Sequence, residues 1–144
     1  MLGISINKNK VHYISVETKR NNIIVSNYGT HTYDTLNDAL SNALRDVLEK
    51  ENLHGTKMVS FFIDSDLCSF NELYCEGESH LDVHQNLSGN VQLVDYFDSY
   101  YYPITSRDDH YLGIHIERGF KQQILNSIDG LDFSIRSIGI GIFS

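Results

Sequence analysis

The first part of the chain carries an alternating pattern of apolar and polar residues that predicts strands. Leu2, Ile4 and Ile6 alternate with small or polar residues, as in a strand with one buried face. Two more such segments follow, separated by polar turns in which asparagine tolerates the positive φ of a tight hairpin. The predicted meander comprises a strand over 2–6, a turn over Asn7–Lys10, a strand over Val11–Glu17, a turn over Lys19–Asn22 and a strand over Ile23–Tyr28.

The clearest helical pattern follows this meander. Its apolar residues recur at spacings of three and four, which places them in one stripe along a helix. Asp34 or Thr35 can cap the start of the helix, and Gly55 is expected just after its end. Met58–Ile63 is then an almost unbroken apolar run, typical of a strand that is covered on both faces. The stripe consists of Leu36, Ala39, Leu40, Ala43, Leu44, Val47 and Leu48.

The pattern is weaker in the second half of the chain, from Asp66 to about His110. Ser79–Leu87 is predicted to be a short helix or a loop, and Thr105–Asp109 a polar turn. A later amphipathic helix carries Phe120, Ile124, Leu125 and Ile128 and is closed by Gly130. The predicted strands of this half are Leu67–Tyr74, Gln92–Tyr102, Tyr111–Ile116 and Phe133–Ile138.

Together these elements predict an α/β protein with a mixed sheet. Residues 1–65 form a βββαβ core, and residues 66–138 form a smaller α/β subdomain. Residues 139–144 are an apolar C-terminal segment, although chain ends are normally polar and exposed. This segment packs back onto the domain, continues into further chain, or is covered by a partner.

Composition and charge narrow the classes of function. With 144 residues, 41% hydrophobic and 21% charged, the chain has the make-up of an ordinary globular domain. A formal net charge of -8 disfavours broad contact with nucleic acid or with anionic membranes. Two cysteines give no disulfide framework, and no signal peptide or apolar run of about 20 residues is present. We therefore expect a cytoplasmic protein without direct membrane insertion.

Three segments resemble the actin-like ATPases of the PilM and FtsA kind, which have an RNase H-like fold. Gly3–Val11 is similar to their first hairpin, in which a short polar turn lies between two apolar strands. Lys57–Phe70 resembles a buried strand, a polar turn and a further strand of PilM. His110–Ile138 resembles the end of PilM's inserted subdomain. The resemblance spans the whole chain and the N-terminal half of the family's length.

The chain departs from the family at the first phosphate loop. The aspartate that helps to hold the metal of the nucleotide falls at Ser5, and the turn glycine falls at Asn7. Serine is a weak magnesium ligand, and asparagine presents a side chain where phosphate meets bare backbone. Ser5, Asn7, Lys8 and Lys10 are therefore the candidates for a degenerate nucleotide loop. The resemblance implies ATP and Mg²⁺, but the residues disfavour both, and we expect no cofactor.

A nuclease or phosphoesterase with two metal ions is an enzymatic alternative on the same fold. It needs a carboxylate on the first strand beside one on the fourth, so that two cations hold the scissile phosphate. Asp64 and Asp66 lie at the end of the fourth strand, whereas the first strand offers only Ser5. A surface turn is the simpler interpretation of the two aspartates.

Cysteine and histidine provide two further alternatives. His80 and His84 are four residues apart, so they share a helical face, as zinc ligands often do. The cysteine spacing matches no zinc finger or ribbon, and no spacing selects a Cys–His nucleophile pair. Exposed loop histidines are the simpler interpretation. The candidate metal ligands are Cys75, His80 and His84, with Cys68 or Asp82 as a fourth.

The most distinctive feature is the aromatic stretch Tyr96–Tyr102. On a strand its aromatic residues would appear on both faces, one in the core and one half-exposed. Tyrosine combines a large apolar area with a polar tip, which suits protein–protein contacts. Tyr100 and Tyr102, together with Ile140 and Phe143 of the C-terminal segment, are the candidate interaction surface.

We therefore predict a non-catalytic, actin-like domain that acts as a scaffold, by self-association or by binding a protein partner. The family likeness implies a pilus, secretion or similar platform, and no enzyme activity is expected. The first alternative is the nucleotide-binding half of a truncated actin-like ATPase. The second is the metal-dependent nuclease or phosphoesterase.

Overall fold

The structure is a computed structural model, which describes residues 1–34, 39–53, 55–77, 83 and 96–141. Its elements form two compact units. Unit 1 comprises Met1–Leu67 and Gln122–Ser144, and unit 2 comprises Cys68–Lys121. The elements are β1 (Leu2–Ile6), β2 (Lys10–Lys19), β3 (Asn22–Thr32), α1 (Ala39–Leu53), β4 (Met58–Asp64), β5 (Cys68–Tyr74), β6 (Phe97–Pro103), β7 (His110–Glu117), α2 (Arg118–Ile128) and β8 (Ser134–Gly141).

Unit 1 is built on a five-stranded mixed sheet with the order β3-β2-β1-β4-β8. The first three strands are an antiparallel meander, whereas β1, β4 and β8 run parallel to one another. A parallel pair needs a long crossover connection, and α1 lies in the crossover from the meander to β4. The predicted βββαβ order and the mixed α/β class are confirmed.

The apolar stripe of α1 is buried against this sheet. Leu44 and Leu48 are fully buried, and Leu40, Ala43 and Val47 are nearly so. Each fully buried aliphatic side chain of this size contributes about 1.5–3 kcal/mol. Gly55, with φ at +81°, follows the helix and donates its N–H to the Asn52 carbonyl oxygen at 3.0 Å. The predicted end of the helix is correct, while Thr35 and Leu36, which were predicted at its start, lie outside the described residues.

The two faces of the sheet differ sharply in burial. Leu2, Ile4 and Ile6 of β1 are fully buried on one face, and Gly3 and Ser5 are half-buried on the other. On the neighbouring strand, Val59, Phe61 and Ile63 pair with those three buried residues and share their face. The core of unit 1 therefore lies on one side of the sheet.

The hairpin between β2 and β3 has a two-residue loop. Arg20 and Asn21 both have positive φ, at 50° and 68°, and Lys19 pairs with Asn22 across the loop. Positive φ at both positions matches the twist of antiparallel strands, and asparagine adopts it at little cost. Strand β3 then continues to Thr32, four residues beyond the predicted strand end at Tyr28.

Strand β8 completes unit 1, although the sequence analysis grouped Phe133–Ile138 with the smaller subdomain. Ile138 and Ile140 pair with Phe61 and Ile63 of β4, in parallel register. The reason is that unit 2 is inserted in the crossover that leads from β4 through α2 to β8. A pattern along the sequence gives the strand, but it does not give the sheet to which the strand pairs.

Unit 2 contains a three-stranded antiparallel sheet with the order β5-β7-β6. Tyr101 and Tyr111 from this sheet form a small buried cluster with Val83. Apart from Val83, the predicted helix or loop at Ser79–Leu87 lies outside the described residues, as does the start of the predicted strand Gln92–Tyr102. Neither helix of the described chain is long and apolar enough to cross a membrane.

Substitutions of Phe61 and of Phe62 test whether the core lies on only one face of the sheet. Phe61 is fully buried, and its neighbour Phe62 on the opposite face is 47% exposed. We expect Phe61→Ala to lower the free energy of unfolding by about 3–5 kcal/mol, because it leaves a cavity. The matched control Phe62→Ala should cost less than about 1 kcal/mol. Urea unfolding of both variants measures this, and equal losses would contradict the assignment of the core face.

Candidate functional site

The turn after β1 is held by its own first side chain. Asn7 Oδ1 accepts hydrogen bonds from the backbone N–H of Lys10 at 2.9 Å and of Asn9 at 3.4 Å. The Asn7 N–H donates to the Lys10 carbonyl oxygen at 3.0 Å. Asparagine favours such turns because its side chain bonds to nearby backbone groups. The amides of Asn7, Asn9 and Lys10 therefore already bond within the loop.

A carboxylate from the end of β4 takes the remaining amide of this turn. Because β1 and β4 are parallel, with Ile6 beside Ile63, the segments that follow them meet at the same sheet edge. There the Lys8 N–H donates to Asp66 Oδ2 at 3.3 Å. Asp64 Oδ1 in turn accepts from the Asp66 N–H at 3.4 Å. The loop thus bonds to an anionic group of its own chain.

Tyr33 closes the turn from the other side. Its hydroxyl donates to the Asn7 carbonyl oxygen at 2.5 Å, and its N–H donates to the Asn9 carbonyl oxygen at 3.0 Å. Burial, and secondly the charge of Asp66, raise the pKa of Tyr33 to about 12. The hydroxyl therefore remains a hydrogen-bond donor at neutral pH. Sequence reasoning missed Tyr33, for which the only signal is an aromatic residue just after the meander.

The four predicted loop residues divide between the turn and the strand. Asn7, Lys8 and Lys10 come together in the turn, with both lysines exposed. Ser5 lies within β1 beside Phe62 of β4, half-buried on the sheet face away from the core. Phosphate binding in such loops relies on backbone N–H groups that point at the ligand. Here the amides of residues 8–10 donate to Asn7 or Asp66, and an incoming phosphate would meet the charge of Asp66.

Asp64 and Asp66 lie at the carboxyl end of β4, where the two-metal alternative requires acids. The described residues contain no cluster of three His, Cys, Asp or Glu side chains placed to hold a metal ion. Of the zinc candidates, Cys68 begins β5 and Cys75 follows it. His80, Asp82 and His84 lie outside the described residues.

Unit 2 contains a row of three hydrogen-bonded polar side chains, Asn71, Ser99 and His115, which no sequence pattern indicates. His115 of β7 lies between Ser99 of β6 and Asn71 of β5. Its Nδ1 is 2.8 Å from Ser99 Oγ, and its Nε2 is 2.9 Å from Asn71 Oδ1. A Cβ at Gly113 would overlap the Asn71 amide, so glycine is needed for Asn71 to reach the ring. The partners are 16 and 44 residues from His115, which places them beyond any local pattern.

Burial favours the neutral form of His115, the titratable side chain of this row. His115 is only 7% exposed, and burial lowers its pKa. As the Asn71 amide is oriented, its oxygen accepts from Nε2–H, so Nδ1 accepts from the Ser99 hydroxyl. The neutral imidazole of β7 thereby hydrogen-bonds to side chains of both neighbouring strands, β5 and β6. The row is chemically suited to bracing the sheet, with Tyr101 packed edge-on against the ring at 6.0 Å.

The tyrosines of β6 alternate between two environments. Tyr101 is buried in the cluster with Val83, whereas Tyr102 is 51% exposed. Tyr100 shares the face of Tyr102, two residues away. Tyr100, and secondly Asp98, raise the pKa of Lys121 on this side of unit 2. Tyr100 and Tyr102 thus lie on a face of mixed aromatic and charged character.

The described C-terminal candidate, Ile140, belongs to a different sheet from the one that contains the tyrosines. Ile140 is half-buried in β8 of unit 1, paired with Ile63. Phe143 lies outside the described residues. The four candidate interaction residues therefore belong to different parts of the chain, and their role as one surface remains a prediction.

Comparison with known proteins gives no match in sequence. No family model matches the chain, and no curated protein does. Solved structures, however, share its fold over 96% of its length. One is the cytoplasmic domain of EpsL, an inner membrane component of the type II secretion system of Vibrio cholerae, with 10% identity and a TM-score of 0.64. Another is in the PilM–PilN type IV pilus biogenesis complex, with 8% identity and a TM-score of 0.62.

A third structure is a Bacteroides thetaiotaomicron protein of unknown function with an actin-like ATPase fold, at 13% identity and a TM-score of 0.51. The chain spans about half of each neighbour, covering 56%, 46% and 51% of their lengths in the same order. The predicted resemblance to actin-like proteins is confirmed at the level of fold.

The lowered pKa of His115 makes stability depend on pH. The unfolded chain binds a proton to this histidine near pH 6.5, whereas the native chain binds it only at lower pH. The contribution of His115 is therefore complete above about pH 6.5 and is lost as the pH falls below that value. We expect the stability advantage of the wild type over His115→Gln to shrink between pH 7.5 and pH 5 in urea unfolding.

The exposed histidine His12 provides the control for this measurement. His12→Gln should leave the acid-dependent loss of stability largely as in the wild type. A wild-type advantage over His115→Gln that stays constant or grows on acidification would show that His115 is not held neutral by burial.

Proposed function

We propose that this chain is a non-catalytic domain of actin-like fold that works through protein contacts, as an assembly component of a pilus- or secretion-type envelope machine. Support comes from the fold shared with an EpsL cytoplasmic domain and with the PilM–PilN complex. The first of these neighbours also supports a cytoplasmic location. Because identity is near 10%, fold likeness supports the kind of role and leaves the partner to experiment.

The observation that carries the non-catalytic part is the closed turn after β1. The amides of residues 8–10 in this turn donate to Asn7 or to Asp66, which follows β4. A phosphate would need the same amide hydrogens. Ser5 replaces a metal-binding carboxylate with a hydroxyl, which holds Mg²⁺ weakly. Binding of Mg-ATP would have to break these contacts and bring two anions together. The loop is better suited to holding β1, β3 and β4 in register than to holding a nucleotide.

The proposed contacts are made by Tyr100 and Tyr102 in unit 2 and by Ile140 and Phe143 near the C-terminus. Tyrosine is enriched at protein interfaces, and Tyr102 is half-exposed on the same strand face as Tyr100. The partner that binds these residues is a second copy of the chain or another protein. A net charge of -8 favours a partner with a basic surface over nucleic acid.

One observation favours the second candidate, the nucleotide-binding half of a truncated actin-like ATPase. The carboxyl ends of β1, β4 and β8 lie at the same edge of the sheet. Ligands of open α/β sheets bind at that edge. The closed turn lies there too, so the two candidates make opposite predictions about the same few residues.

Thermal unfolding with and without Mg-ATP separates the two candidates. We expect no shift in the unfolding midpoint of the wild-type chain, compared with Mg²⁺ alone. A nucleotide present at 100 times its Kd would add about 2.7 kcal/mol of stability, which is readily measured. A rise that saturates with Mg-ATP would overturn the non-catalytic assignment and favour the nucleotide-binding half.

Sedimentation equilibrium tests the tyrosine face. If the chain self-associates through Tyr102, Tyr102→Ser should weaken the association by about 2 kcal/mol, or roughly thirtyfold in Kd. Tyr28→Ser is the matched control, since Tyr28 is 77% exposed in the other unit. Equal association of both variants would remove Tyr102 from the interface. A wild-type monomer at all concentrations would exclude self-association and leave a different protein as the partner.

A further inference from the structure

Unit 1 contains a polar cavity beside the C-terminal turn of α1. Its volume is about 400 Å³, which is large enough for a small organic group. The side chains around it carry three hydroxyl groups, one amide and two carboxyl groups, and none of these described residues is basic. The cavity is lined by Ser15, Glu17, Ser26, Asn27, Glu51 and Thr56.

The deepest of these groups is the carboxyl group of Glu51, which is only 1% exposed. Asn27 Nδ2 donates to its Oε1 at 2.6 Å. Burying a carboxylate is costly unless an opposite charge and several hydrogen bonds compensate for the lost water. One amide donor supplies part of that compensation, and it carries no charge. Among the described residues that line the cavity, none carries a positive charge to neutralise this carboxyl group.

Two lysines that are close in sequence to cavity residues each pair with a carboxylate other than that of Glu51. Lys19, in the hairpin next to Glu17, pairs with that residue at 2.9 Å, with both side chains about half-exposed or more. Lys57, which follows Thr56 in the chain, pairs with Asp132 at 2.5 Å and contacts Asn52 at 3.4 Å. Each of these lysines is held by another acceptor, so neither reaches the Glu51 carboxyl group.

The end of α1 makes the cavity more favourable for a cation. Glu51 is in the last turn of the helix, which ends at Leu53. The C-terminus of a helix carries roughly half a negative charge, so positive groups are stabilised near it. Ser15 is 2% exposed, and its hydroxyl lies 3.5 Å from that of Thr56. A carboxylate, a helix C-terminus and a pair of hydroxyl acceptors thus converge on one small space.

We propose that this cavity binds a primary ammonium group, carried either by a small amine or by a lysine side chain of another protein. The Glu51 carboxylate neutralises its charge, and the hydroxyls of Ser15 and Thr56 accept two of its three N–H bonds. An ammonium fits better than a guanidinium, because Asn27 already donates to Oε1 and a bidentate guanidinium needs both oxygens. Such a site does not depend on the proposed function, since it lies at neither the turn after β1 nor the tyrosine face.

Thermal unfolding of the whole chain with amine salts tests this site. We expect n-butylammonium chloride to raise the unfolding midpoint of the wild type in a saturable way, by about 9 °C at 100 times its Kd. Sodium chloride at equal ionic strength, and tetramethylammonium, which has no N–H group, should have no such effect. Equal responses to butylammonium and tetramethylammonium, or no response to either, would overturn the proposal.

Two substitutions on α1 test whether the stabilisation by butylammonium depends on Glu51. Glu51→Gln keeps the shape of the side chain and removes its charge, so the response to butylammonium should disappear. Glu49→Gln is the matched control on the same helix, where Glu49 is half-exposed and bonds to Arg45, and it should respond like the wild type. A response of Glu51→Gln equal to that of the wild type would overturn the proposal.

A third substitution keeps the test valid if Glu51→Gln does not fold. Thr56→Val removes one hydroxyl acceptor and should weaken butylammonium binding about two- to tenfold, the cost of one hydrogen bond. Unchanged binding in this variant would count against the site. Nα-acetyl-lysine methylamide distinguishes the two sources of the ammonium group. Tighter binding than butylammonium identifies a protein lysine, and weaker binding identifies a free amine.

Discussion

The parallel pairing of β1 with β4 is the constraint on which the rest of unit 1 depends. Five consecutive pairs, from Leu2 with Val59 to Ile6 with Ile63, join strands that are more than fifty residues apart in the chain. The pairing aligns the two buried rows under α1 and leaves Phe62 and Ser5 on the opposite face. It also brings the turn at Asn7 to the aspartates after β4. Without this register, neither the one-sided core nor the closed turn would exist.

At that sheet edge the backbone amides of the turn after β1 bond to side chains of the same chain. An open sheet presents the carboxyl ends of its parallel strands to a ligand, and here the chain itself fills that role. Asp66 occupies the position of an anion at the Lys8 amide, and Tyr33 holds the turn with a hydroxyl that stays protonated at neutral pH. These contacts give the turn a set of hydrogen bonds within the chain, which is the basis of the structural role proposed for it.

In the described part of unit 2, a row of polar side chains supplements a small aromatic cluster. The sheet β5-β7-β6 combines a small aromatic cluster with the His115 row, in which one imidazole bonds to side chains on both neighbouring strands. Gly113 is required because the Asn71 amide occupies the space of a Cβ. The exposed tyrosine face is available for contacts because the buried side of the same strand carries Tyr101. Buried and exposed tyrosines therefore alternate along the single strand β6.

The sequence by itself determined the order of elements, because alternation in β1 and the stripe in α1 are local consequences of strand and helix periodicity. It also located the turn at Asn7, its departure from the phosphate loops of actin-like proteins, and the glycine that follows α1. Only the tertiary structure decided that β8 joins β4, that Asp66 and Tyr33 close the turn, and that Glu51, Ser99 and His115 meet their partners. The hydrogen bonds among these contacts join residues 16 to 58 positions apart, and no local period encodes which distant groups will meet once strands pair.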